Sequence, residues 1–200
     1  GIESYKNVPG VSFAKRDAEW MKKYFENILG IPKNRIYYKT DSDVGQAEFS
    51  KVFSEDGWLD KRVKEGKTNL YVYYAGHGAP DMKKNKAYLI PYDGDPNYAS
   101  QTGYEMDELY EQLGNMGAKS TTVFLDACFS GANRDNEMLL EDARPVFMEV
   151  DESATRNVTV FSASSGSEIS SAWPEKKHGL FSYYLMKGMR GDADANSDKQ

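Results

Sequence analysis

An α/β fold built on a largely parallel sheet is what the sequence predicts, on three observations. Segments of strand character alternate with segments of helical spacing along the chain. Several strand segments are apolar along their whole length, as strands covered on both faces are. The composition also supplies a core: 200 residues are 40% hydrophobic and 13% aromatic, far from a disordered chain.

The elements follow in order. Residues 11–29 place Ala14, Ala18, Met21, Phe25, Ile28 and Leu29 at helical spacing, with Ser12 as N-cap and Gly30 and Pro32 as stop signals. Residues 35–40 (Arg-Ile-Tyr-Tyr-Lys-Thr) read as a short strand. Residues 46–65 read as a helix with Phe49, Val52, Phe53 and Val63 on one side and a weak point at Gly57. Residues 68–75 are rich in β-branched and aromatic side chains and form a strand that ends at Gly76-His77-Gly78. Residues 87–91 form a second short strand, pushed toward an edge or an end by Pro91. A helix over 105–116 is built around Leu109 and Leu113. Residues 120–127 form a continuous apolar strand, expected at the centre and ending at Cys128. A polar stretch over 130–157 is too long for an ordinary connection. A strand at 158–163 and a helix at 178–190 close the pattern. No repeat and no linker divides it, so residues 1–200 read as a single domain, with 191–200 as the start of an acidic tail.

Composition narrows the function. One Cys excludes a disulfide scaffold or a Cys-rich zinc site. No run of 18 apolar residues is present to span a membrane as a helix, and no membrane partner is expected. A net charge of −6 argues against a phosphate-backbone binder, so no nucleic-acid partner is expected, and it suits cationic substrates. No phosphate-cradling Gly-rich loop follows a strand, which disfavours a flavodoxin-like small-ligand binder. The opening Gly1-Ile2-Glu3 and the polar close at 192–200 make a fragment the expectation, so cellular location is left open.

The lone Cys is the sharpest chemical feature. An arbitrary Cys is usually a small buried hydrophobe. Cys128, however, follows an apolar strand and precedes a turn, and ligands of open α/β sheets bind beyond the carboxyl ends of strands. His77 stands at the matching place on another strand, between two glycines that let the backbone turn sharply. A thiol nucleophile needs such an imidazole to take its proton and pass it to the leaving amine. The competing histidine, His178, opens a helix and reads as a capping residue. Asp126 lies two residues before Cys128, so strand alternation puts both side chains on one face. A carboxylate there repels an acidic substrate residue and pairs with Arg or Lys.

Tyr73-Tyr-Ala-Gly-His-Gly78 followed by Leu125-Asp-Ala-Cys-Phe-Ser-Gly131, with 51 residues from His77 to Cys128, resembles the caspase-type cysteine peptidases. That spacing is a known signature of the group. Asp126-Ala-Cys128, in place of the caspases' Gln-Ala-Cys, resembles the metacaspases and bacterial caspase-like peptidases. Ser12-Phe-Ala-Lys-Arg-Asp-Ala18, Ala87-Tyr-Leu-Ile-Pro-Tyr-Asp93 and His178-Gly-Leu-Phe-Ser-Tyr-Tyr-Leu185 extend the similarity along nearly the whole chain.

The resemblance implies a three-layer αβα sandwich with a central sheet of about six strands, the first ending in Gly1-Ile2-Glu3 and so truncated. It implies a Cys128–His77 dyad, an oxyanion hole from the backbone N–H groups of Gly78 and Cys128, and endopeptidase cleavage after Arg or Lys through a thioester. Asp126 would line the pocket for the residue before the cut, with Asp17 as its helper; the plainer reading of Asp17 is an exposed first-turn residue favouring the helix dipole. Substrates would be proteins or peptides with a basic residue before the cut. Self-processing is expected in 130–157, where Arg144 precedes Pro145, Arg156 adjoins a strand, and Arg134 in a small polar stretch is the exposed candidate. No cofactor is required. Calcium use in the family involves clustered acidic residues; Glu105, Asp107 and Asp135 form only an incomplete set, and Asp192, Asp194, Asn196 and Asp198 have EF-hand spacing but Ser197 where Gly belongs. A catalytically idle module that binds a partner protein is the alternative function.

Overall fold

Residues 1–130, 157–164 and 170–195 are described by the computed structural model. The elements are α1 (Ala14–Asn27), α2 (Gln46–Phe53), β1 (Asn69–Ala75), β2 (Gly78–Asp81), β3 (Lys86–Leu89), α3 (Ala99–Thr102), β4 (Tyr104–Glu105), α4 (Met106–Asn115), β5 (Ser120–Asp126), β6 (Val158–Ser162), β7 (Ala172–Trp173), β8 (His178–Gly179) and α5 (Leu180–Lys187).

Among the described residues the parallel sheet has the order β1-β5-β6. Asn69 faces Ser120 and the register runs to Ala75 opposite Asp126; Thr121 to Leu125 pair with Val158 to Ser162. Alternation sends Leu70, Val72, Tyr74, Val123 and Leu125 to one face, where they pack with Phe49 of α2 and Met106, Leu109 and Leu113 of α4. Phe124, Tyr71 and Tyr73 face the other way, onto Met21, Tyr24 and Phe25 of α1 and Met186 of α5. Two helical layers thus enclose the sheet, and β5 is buried on both faces from Val123 to Asp126. An antiparallel unit, β2-β3-β4, and the short hairpin β7-β8 are separate from this sheet.

Several boundaries differ from the sequence reading. Ser12 does not cap α1: Phe13 takes the cap position in a left-handed conformation with no side-chain hydrogen bond. Residues 35–40 form no strand ladder among the described residues. Their backbone is extended at Ile36 and Thr40, but no described strand pairs with them. Lys39 O and the Asp41 N–H instead bond Gly1 at 3.1 Å each. The helix expected over 46–65 stops at Phe53, and a turn closed by the Gly57 N–H on Ser54 O follows. The last helix starts two residues late because His178 and Gly179 pair with β7.

Candidate active site

The register of β1 on β5 builds the site. Ala75 faces Asp126, and two steps further along each strand stand His77 and Cys128. The 51-residue spacing between them is the register offset of the two strands, so both residues leave the same end of the sheet side by side.

His77 is buried, with 2% exposure. Its Nε2 lies 2.7 Å from Pro9 O. A carbonyl only accepts, so Nε2 carries a proton and Nδ1 is the acceptor of the neutral ring. The His77 N–H donates to the Tyr5 hydroxyl at 2.7 Å, and the Tyr5 ring packs on the imidazole with centroids 4.5 Å apart. The Tyr74 hydroxyl donates to His77 O at 2.8 Å. Gly76 is required here: a Cβ on it would fall 2.5 Å from the Tyr5 hydroxyl oxygen and 2.6 Å from that of Tyr74.

The Ile90 N–H donates to His77 O at 3.0 Å, so His77 and Ile90 are a hydrogen-bonded pair. The next pair, Gly78 with Leu89, is then the non-bonded one, which turns the Gly78 N–H away from β3. A Cβ on Gly78 would lie 2.6 Å from Cys128 O and 2.6 Å from the Phe129 ring, so glycine lets the two strand ends touch.

Cys128 is buried, 5% exposed. The Ser170 N–H points at its Sγ, a donor aimed where thiolate charge would sit. Ser170 also donates its hydroxyl to Asp126 Oδ1 at 2.7 Å, joining Cys128 to the carboxylate. Asp126 Oδ2 accepts from the Ser182 N–H at 3.3 Å and from its hydroxyl.

Asp17 is fully buried, which corrects the exposed first-turn reading. Its Oδ1 accepts from His178 Nδ1 at 2.5 Å and its Oδ2 from the Gly179 N–H at 2.9 Å. Gly179 is the N-cap of α5 and Ser182 lies in its first turn. Both carboxylates are therefore held by the N-terminus of one helix, whose dipole favours negative charge. His178 does not cap that helix: Gly179 holds the N-cap with no side-chain cap hydrogen bond, and the His178 imidazole bonds Asp17 from the preceding strand.

Other candidates are placed apart. The Lys86 ammonium sits between Glu105, at 2.7 Å, and Asp107, so a lysine already neutralises this acidic pair. Among the described residues no group of His, Cys, Asp or Glu is arranged to hold a metal ion. Asp192 and Asp194 are described and the Lys187 ammonium lies 3.8 Å from Asp192. Asn196, Asp198, Arg134, Asp135, Arg144 and Arg156 fall outside the described residues. A cavity of about 670 Å³ is lined by residues such as Met21, Phe25, Phe49 and Val72, not by the site residues.

Tyr5, Pro9, Ser170 and Ser182 escaped the sequence reading. Tyr5 and Pro9 lie in an irregular segment with no periodicity, Ser170 in a serine-rich run, and Ser182 on a helix read only for its apolar residues. The family model of the peptidase C14 caspase domain matches residues 1–198. No curated protein matches the chain.

Proposed function

The chain belongs to the caspase-domain family of cysteine peptidases, and on that premise we propose that it is an endopeptidase with a Cys128–His77 dyad that cleaves after Arg or Lys. The observation that carries this reading is the equal register of the two residues past paired strands. Cys128 passes its proton to Nδ1 of His77, and the sulphur attacks the scissile carbonyl carbon. The oxyanion of the tetrahedral intermediate is held by the backbone N–H groups of Gly78 and Cys128, each donor lowering the barrier by ~3 kcal/mol. Collapse breaks the C–N bond as the imidazolium gives its proton to the departing amine, leaving a thioester. Water, deprotonated by His77, then releases the acid and restores the thiol.

Support for basic specificity is the pair of buried carboxylates, Asp126 and Asp17. No cofactor enters this scheme: thiol, imidazole and backbone donors supply each step.

Fluorogenic peptides ending in Arg, Lys or Asp, assayed with and without a thiol-alkylating agent, test the reading. Arg and Lys peptides are turned over and alkylation stops it. Turnover that survives complete alkylation, or preference for the Asp peptide, overturns it. No turnover by folded protein favours the binding-module alternative.

A further inference from the structure

Tyr5 and Tyr74 close a hydrogen-bonded ring around the His77 peptide. The His77 N–H donates to Tyr5, the Tyr5 and Tyr74 hydroxyls lie 3.4 Å apart, and Tyr74 donates back to His77 O at 2.8 Å and to Ile90 O at 3.0 Å. Burial, reinforced by Tyr5, pushes the Tyr74 phenol well above its ordinary value, so it keeps the proton it donates. Tyr5 acts on the side chain as well, its ring tilted 42° against the imidazole. The segment bearing Tyr5 is itself fixed: the Val11 N–H bonds Glu3 O at 2.9 Å, the Lys6 N–H bonds Tyr92 O at 3.0 Å, and the Ile2 N–H bonds Ala75 O at 2.9 Å.

We infer that Tyr5 is a positioning residue for His77: its hydroxyl fixes the His77 peptide and its ring fixes the imidazole plane. This rests on the proposed role of His77. An imidazole free to rotate loses its bond to Pro9 O and no longer offers Nδ1 to the thiol in one orientation. Proton transfer depends on that geometry, and the contacts of Tyr5 with His77 act on it rather than on the pocket carboxylates.

Two variants separate the two contacts. Tyr5→Phe keeps the ring and loses the acceptor of the His77 N–H; Tyr5→Leu loses both. We expect kcat to fall about tenfold in Tyr5→Phe and about a hundredfold in Tyr5→Leu, with KM within about twofold of wild type. Imidazole ¹⁵N NMR gives a readout independent of turnover. The chain has two histidines, so loss of one ring signal in His77→Ala assigns the other. Wild type should show His77 as a single Nε2–H tautomer, and the variants a mixture of tautomers. Folded Tyr5→Phe and Tyr5→Leu with wild-type ring signals overturn the inference, as does a loss of turnover expressed in KM with kcat unchanged. If Tyr5→Leu fails to fold, Tyr5→Phe decides alone. If the wild type cleaves no peptide, the dyad reading fails while the ring signals still decide the role of Tyr5.

Discussion

Asp17 and His178, 161 residues apart in the chain, meet in a buried contact of 2.5 Å between Oδ1 and Nδ1. The contact ties the first turn of α1 to the residue that precedes the N-cap of α5. With Asp126 holding Ser182, it makes the two carboxylates the anchors of α5 and not only candidate substrate ligands.

Asp126 should affect specificity and stability separately. Asp126→Asn keeps the size of the group and removes its charge, so KM for Arg peptides should rise at least tenfold, a charge-assisted bond contributing ~1.5–3 kcal/mol. Asp126→Ala should in addition destabilise the fold by about 1–3 kcal/mol, because it strips the acceptor from the buried Ser182 and from Ser170. Steady-state kinetics and urea unfolding of the two variants measure the two effects; an unchanged KM in Asp126→Asn would remove Asp126 from the pocket.

Cys128→Ala should abolish turnover and leave the unfolding free energy within about 1 kcal/mol of wild type, since the change removes one atom from a small buried side chain. Residual turnover in the folded variant, beyond contaminating protease, would mean that another group is the nucleophile.

Gly78→Ala should disable the enzyme while His77 and Cys128 remain in place in sequence. A methyl group at Gly78 meets Cys128 O and the Phe129 ring at 2.6 Å, so the backbone must shift and carry the Gly78 N–H with it. Losing one oxyanion donor predicts a fall in kcat of roughly 10²–10³-fold. Alkylation of Cys128 by iodoacetamide should still proceed, because that reaction forms no oxyanion. A variant with wild-type kcat would exclude this N–H from the hole.

Self-cleavage, where it occurs, should fall between Arg134 and Asp135. Intact mass of purified wild type beside Cys128→Ala tests this. Fragments broken elsewhere, or fragments that also form in the Cys variant, exclude the site; one intact mass in an active sample shows that processing is not needed.

The sequence by itself determined the two candidate residues, Cys128 and His77, and the strands whose ends deliver them. Cys128 and His77 were legible because strand ends in an α/β sheet face a common crevice, and their spacing turned out to be the β1–β5 register offset. Helices α1, α2, α4 and α5 and the strand cores were legible from apolar periodicity, which is a local property of the chain. Tertiary structure alone decided the rest. The 35–40 segment reads as a strand, yet a ladder needs a partner strand, and among the described residues none pairs with it. Asp17 reads as a helper in the pocket or as a solvated first-turn acid, and only the fold buries it, with His178 and Gly179 arriving from the far end of the chain to satisfy it. Tyr5 and Pro9 hold His77, and Ser170 and Ser182 hold Asp126, through single side-chain or carbonyl contacts made across long sequence separations. Such contacts leave no periodic trace in a sequence, because only the packed sheet brings their partners together.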